Sequence, residues 1–118
     1  MMEVKSKPNV LILQCDQMQA KRMGFVDGIA DTPNLDALAK EGIHFPNAIT
    51  IHGQCVPSRC AFFTGMSPHE CQVMVNYPFH NHCGHLTTEN RTFFQEFQEN
   101  GYTTAHFGKS HIGYPLRK

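Results

Sequence analysis

Four consecutive aliphatic residues, Val10-Leu-Ile-Leu13, preceded by Pro8-Asn9 and followed by Gln14-Cys15-Asp16-Gln17, constrain the fold most. An apolar run without alternation is the pattern of a strand covered on both faces, as in a parallel sheet with helices above and below it. Thr103 to Phe107 reads as a second central strand and leads into Gly108-Lys-Ser-His-Ile-Gly113. Central strands separated by helical segments predict an α/β chain, and in open α/β sheets ligands gather beyond the carboxyl ends of the strands. That rule places Asp16 at one strand end and Lys109 and His111 at the other. An extended backbone through residues 109–111 turns Lys109 and His111 to the same side. Taken singly, Asp16 is more commonly a turn or helix-cap residue, and the other two a solvated lysine and a loop histidine.

The segments between these runs carry clear start and stop signals. Thr32-Pro-Asn-Leu-Asp-Ala-Leu-Ala-Lys-Glu-Gly42 predicts a short helix, with Thr32 as N-cap, Pro33 in the first turn, Leu35, Leu38 and Ala39 on one face, and Gly42 as the stop. Residues 18–31 read as irregular, with Gly24 and Gly28 as breakers. Ile43 to Thr50 reads as an edge strand or extended arm, since Pro46 removes a ladder donor. Thr92-Phe-Phe-Gln95 is a capping box for a helix with Phe93, Phe94 and Phe97 inward, closed by Asn100-Gly101.

Cys55-Val-Pro-Ser-Arg-Cys-Ala-Phe-Phe-Thr-Gly65 puts a cysteine just ahead of a Pro-Ser helix start, an arginine one turn in, and a Thr-Gly stop. Phe62 and Phe63 are read as core residues. Unpaired N–H groups and the positive end of the helix dipole favour an anion at Cys55, so a reactive or anion-handling thiol and a buried structural cysteine both fit.

Composition narrows the function classes. At 118 residues the chain predicts one domain with one core. Ten Lys and Arg balance ten Asp and Glu for a formal charge of zero, which points away from nucleic acid and acidic membrane as partners. The four-residue apolar run after the N-terminus is too short for a signal core or a membrane span, which sets the expectation of a cytoplasmic chain and makes the Asn90-Arg91-Thr92 glycosylation sequon moot. Five irregularly spaced cysteines argue against a disulfide framework. His69 and Cys71 with His82, Cys83 and His85 match no standard zinc spacing, and a polar loop is the expectation there, with a zinc module as the alternative.

Taken together and in order, these blocks resemble the N-terminal part of a sulfatase, within the alkaline-phosphatase-like superfamily. The resemblance runs from the strand ending in Asp16 through Thr32-Pro-Asn-Leu-Asp36, Glu41-Gly-Ile-His-Phe-Pro-Asn-Ala48, Cys55-Val-Pro-Ser-Arg59 with Thr64-Gly65, and Gly101-Tyr-Thr-Thr-Ala105 to Gly108-Lys-Ser-His-Ile-Gly113. It implies an α/β fold: part of an alkaline-phosphatase-like sandwich, a mostly parallel sheet flanked by short helices. Residues 1–118 would be the N-terminal portion of the catalytic domain, with the C-terminal half absent.

The resemblance also implies a chemistry. A formylglycine-generating enzyme oxidises Cys55, and the hydrated aldehyde attacks the sulfur of a small-molecule or carbohydrate sulfate ester. Arg59 and Lys109 hold the diol oxygens, and His111 handles the proton. Asp16, Gln17 and the modified Cys55 are ligands of a divalent cation, Ca²⁺ or alternatively Mn²⁺. Many sulfatases have two adjacent Asp ligands where this chain has Asp16-Gln17; Gln17 offers a carbonyl oxygen but no charge, as in relatives that hydrolyse phosphonate or phosphate esters. Ser110 stands where the family usually has tryptophan, and the remaining metal ligands and a further Lys/His pair belong to the absent half. A phosphonate or phosphodiester hydrolase and a non-catalytic binding remnant are the alternatives.

Overall fold

The computed structural model describes residues 7–77 and 84–112. The chain divides into two compact units, Met1–Pro46 and Asn47–Lys118. The buried hydrophobic residues among those described all lie in the second unit.

From residue 7 the first unit has no regular secondary structure up to a 3₁₀ turn at Ala20–Arg22, followed by two helices, α1 (Gly24–Asp27) and α2 (Pro33–Glu41). The region read as irregular thus contains a helical turn. A polar hub explains it: the Thr32 hydroxyl accepts the Gly24 N–H at 2.8 Å and donates to Asp36 Oδ1 at 2.7 Å, while Asp36 Oδ1 accepts the Phe25 N–H at 3.1 Å. Thr32 occupies the N-cap position of α2, but its hydroxyl serves the free N–H groups of α1. Gly24 has no room for a side chain, since a Cβ there would stand 2.7 Å from Asp36 Oδ2 and 2.9 Å from the Ala30 carbonyl oxygen. At the other end of α2 the Gly42 N–H closes on the Leu38 carbonyl at 2.9 Å. Leu35 and Ala39 are half-buried, while Leu38, expected on the same inward face, is 62% exposed.

In the second unit, α3 (Cys55–Thr64) runs through the core. Val56 and Cys60 pack with Cys71, Val73 and Leu86, and Met66 and Ile112 lean on that cluster. The Gly65 stop is as the sequence predicts, with φ 70° and its N–H on the Ala61 carbonyl at 2.8 Å. Helix α4 (Phe93–Glu99) begins at the Thr92–Gln95 capping box, with the Gln95 carboxamide oxygen accepting the Thr92 N–H at 2.6 Å. Its half-buried Phe93 and Phe94 meet Phe63 at ring distances of 5.4 and 5.5 Å. Phe62, the other residue read as core, is 45% exposed and touches Phe93 edge-on. Arg91 pairs with Glu96 and Glu99 along the outer face of α4.

The predicted mostly parallel sheet is not formed: among the described residues there are helices and irregular backbone but no strand. Val10, Leu11, Ile12 and Leu13 are 54, 82, 47 and 77% exposed, the reverse of a strand covered on both faces. Residues 43–50 and 103–107 are likewise irregular, with Phe107 92% exposed. The physical reason is that a strand exists only with a partner. Its N–H and C=O groups point sideways, and no neighbouring segment among the described residues supplies a ladder. No helix among the described residues is long and apolar enough to cross a membrane.

Candidate active site

Helix α3 starts two residues earlier than its Pro-Ser pair predicts, on Cys55 itself, with Gln54 as N-cap. Pro57 sits in the first turn, where its missing N–H leaves nothing unsatisfied. Two side chains from outside the helix take up N–H groups of its start. His52 Nδ1 accepts the Gln54 N–H at 3.0 Å, and Asn76 Oδ1 accepts the Val56 N–H at 3.0 Å. A hydroxyl pair, Thr50 Oγ1 and Ser58 Oγ at 2.9 Å, adds a third tie. Cys55 is therefore a half-buried free thiol on a tightly held first turn. Sequence reasoning missed His52 and Asn76; Asn76 lies twenty positions from the N–H it caps, and no local pattern marks it.

One turn into α3, Arg59 is buried at 6% exposure and its Nη1 donates to the Lys109 carbonyl at 2.5 Å. Cys60, fully buried, directs its S–H at the Ile112 carbonyl at 3.7 Å. These two contacts hold residues 109–112 against the first half of α3, so the fold brings together the Cys55, Arg59, Lys109 and His111 segments. Two details differ from expectation. Arg59 meets the backbone of Lys109, whose residue is exposed. The backbone is also not extended through residues 109–111: His111 has φ 45°, and Gly108 before it φ 92°. The two-apart alternation that would turn Lys109 and His111 the same way is broken, and His111 is half-buried with a buried Nδ1 that has no hydrogen-bond partner.

Burial pushes the Cys60 thiol up to about 12, with the neighbouring Cys71 adding to the shift. Cys60 is thus an uncharged core group at neutral pH.

Asp16 and Gln17 belong to the first unit and are exposed. Gln17 has φ 56°, a left-handed conformation uncommon for a side-chain-bearing residue and enriched where function constrains the backbone. Their carboxylate and carboxamide oxygens suit a hard cation such as Ca²⁺, although they supply only two of the roughly six to eight oxygens it takes. Among the described residues no group of three or more His, Cys, Asp and Glu side chains is placed to hold a metal ion. The zinc alternative falls partly on His82 and Cys83, which lie outside the described residues. Of its other members, His69 is exposed and Cys71 is buried in the core.

The Sulfatase family profile matches residues 8–116. This chain belongs to the sulfatase family. The sulfatase-family chain is 33% identical over 108 residues to an ulvan-active sulfatase of Formosa agariphila, covering 91% of this chain and 20% of that protein. It is 38% identical over 120 residues to an arylsulfatase of Clostridium perfringens, covering 94% of this chain and 22% of that protein. A choline-sulfatase of Rhizobium meliloti is 36% identical over 109 residues, covering 90% of this chain and 20% of that protein. A crystal structure from Bacteroides thetaiotaomicron assigned as a sulfatase superposes with a TM-score of 0.83 at 34% identity, covering 95% of this chain and 24% of that one. The chain therefore spans about a fifth of the length of the curated relatives it matches.

Proposed function

We propose that this chain contributes the nucleophile-bearing part of a sulfuric ester hydrolase, acting on a small-molecule or carbohydrate sulfate ester through formylglycine made from Cys55. The observation that carries the reading is the start of α3 on Cys55, with Arg59 buried one turn on and tied to the Lys109 carbonyl. A helix first turn and a buried guanidinium together favour an oxyanion at that point. Relatives that carry the same segment include an ulvan-active, an aryl and a choline sulfatase, which supports both carbohydrate and small-molecule esters as substrate classes.

Formylglycine at residue 55 would supply a hydrated aldehyde as nucleophile, and a divalent cation, Ca²⁺ or Mn²⁺, would supply charge neutralisation. Asp16 and Gln17 are the oxygen donors offered to that cation. The residues of this chain do the rest. Asn76 and His52 keep the α3 start from fraying, so that the group at position 55 is held in one orientation. Arg59 provides a fixed positive charge for the sulfuryl oxygens. Lys109 would add a second charge, and His111 would take or orient the proton of the leaving hydroxyl.

The deciding experiment is mass analysis of the peptide containing Cys55 after co-expression with the formylglycine-generating enzyme. Conversion of the thiol to the aldehyde is expected; a thiol left intact would leave the anion-binding remnant as the better reading. Gln17, in place of a second aspartate, favours a phosphonate or phosphodiester as a second substrate class. Turnover of aryl sulfate and aryl phosphonate esters by a full-length domain carrying this segment separates the two.

A further inference from the structure

The hydrogen bonds at the start of α3 fix the protonation state of one side chain. A backbone N–H can only donate, so the atom of the His52 ring that receives the Gln54 N–H at 3.0 Å is a bare Nδ1, and the ring is neutral with its proton on Nε2. Gln54 is the N-cap residue of α3, and its carbonyl accepts the first bond of the helix, from the Ser58 N–H at 3.2 Å. The imidazole, the N-cap residue and the turn that carries Cys55 are thus joined in series.

The other ties of this corner do not titrate near neutrality. The Thr50 hydroxyl donates to the His52 carbonyl at 3.1 Å and, having one proton, accepts from the Ser58 hydroxyl 2.9 Å away; the Asn76 carboxamide accepts the Val56 N–H. The Nδ1 acceptor differs, because imidazole is the side chain whose ordinary titration falls in that range. A protonated ring presents N–H to N–H at Gln54 and adds a positive charge at the positive end of the helix dipole. No carboxylate offsets that charge: residues 42–69 contain no Asp or Glu, and among the described residues His52 has no ion pair. The ionisable groups that α3 brings to its first turns are the Cys55 thiol and the buried Arg59 guanidinium. Those of the segment carrying Asn76 are His69, Glu70, the core thiol of Cys71 and Tyr77, with Glu70 committed to the Ser67 N–H.

We propose that His52 is a pH-dependent positioning residue: neutral, it holds the turn of α3 that carries residue 55; protonated, it releases the Gln54 N–H and that turn loosens. The device belongs to the helix start and holds for an unconverted Cys55. Its functional consequence rests on the sulfatase reading, under which the nucleophile at position 55 loses its fixed orientation on the acid side of the imidazole titration.

The test is ¹H–¹⁵N spectroscopy of the 118-residue chain with its Cys55 thiol intact, titrated from about pH 8 to about pH 5, the interval in which imidazoles change charge. Long-range spectra follow the His52 ring, one-bond spectra the Gln54 amide, and hydrogen exchange corrected for its intrinsic pH dependence the Ser58 amide. At the alkaline end Nδ1 of His52 is expected to show the shift of an unprotonated ring nitrogen. On acidification the Gln54 amide should move along the same curve as the ring, and Ser58 protection should fall about fivefold, the worth of one helix cap. His52→Asn, which places a non-titrating acceptor oxygen near the Nδ1 position, should hold both amides at their alkaline values throughout. His52→Phe should show the acid values at every pH. The proposal is overturned if the Gln54 amide ignores the His52 titration, if Nδ1 carries a proton at the alkaline end, or if His52→Asn titrates as the unsubstituted chain does. Should His52→Phe fail to fold, the unsubstituted chain and His52→Asn decide the matter. Mass analysis of residue 55 after co-expression with the formylglycine-generating enzyme tests the sulfatase reading separately: a thiol left intact there would sink that reading and leave the pH-dependent cap standing.

Discussion

Helices α2 and α3 differ by one residue in length, nine against ten, yet no residue of α2 is buried while six of α3 are. Their stability must come from different sources. Helix α2 is held by what lies within a few positions of it: Pro33 in its first turn, the Gly42 closure, and the Thr32–Asp36 hub shared with α1. Helix α3 is held by groups 20 to 52 positions away, namely Asn76, Leu86, Lys109 and Ile112. A helix this short is marginal on propensity alone, so one is a locally capped element and the other a core element that acquires chemistry through what it buries.

The contrast can be broken most decisively in the core. Val73→Asp should cost about 3–5 kcal/mol by stranding an uncompensated charge, whereas Leu38→Asp on α2 should stay within about 0.5 kcal/mol. Urea midpoints of the two variants measure this, and similar midpoints would erase the distinction. Arg59→Met comes next, at roughly 2 kcal/mol, because it removes the buried charged donor that bonds the Lys109 carbonyl. Amide hydrogen exchange should then rise across residues 109–112 while α2 stays protected as before.

Capping should level the two helices. Asn76→Ala at α3 and Thr32→Ala at the α1–α2 hub should each cost about 1 kcal/mol by chemical denaturation, since both remove a side-chain acceptor from a helix-start N–H.

The smallest effect is electrostatic. Glu70 is held below the usual carboxylate range by the Ser67 backbone N–H, at 2.7 Å from Oε2, and then by the Ser67 hydroxyl. A carboxyl whose folded pKa is depressed contributes its stability above the unfolded value and loses it as pH falls through the folded one. The Ser67 amide should therefore lose its bonded chemical shift only below the pH range in which an ordinary glutamate titrates, and Glu70→Gln should abolish that dependence.

Much of the helical layout was legible from residues 32–42 and 92–101, because caps, Pro and Gly act within one turn and leave their mark in the local sequence. The family was legible too, since Cys55-Val-Pro-Ser-Arg59 and Gly108-Lys-Ser-His-Ile-Gly113 are chemical motifs rather than packing motifs. The Val10–Leu13 strand was misjudged: an apolar run specifies what a segment needs around it and not whether that neighbour is present. Phe62 and Leu38 show the same fault on helices, because a hydrophobic position announces a preference that only tertiary contact fulfils. Asn76 and the Ile112 carbonyl left no local trace, since a single polar group bonding a distant N–H or S–H has no period or spacing to detect.

The bonds that place residues 109–112 on α3 span 50 and 52 positions, from Arg59 to Lys109 and from Cys60 to Ile112. Loops of that length form after local turns do, and each must recover its closure entropy from only a few contacts. Helix α3 and its cap can thus be in place while the far side of the site is still arriving, and on unfolding the order reverses. Interactions that form after the rate-limiting step govern how fast a protein opens rather than how fast it closes. The Ile112 junction therefore acts as a latch on lifetime: weakening it shortens how long the assembled site persists, while the speed of assembly stays nearly unchanged.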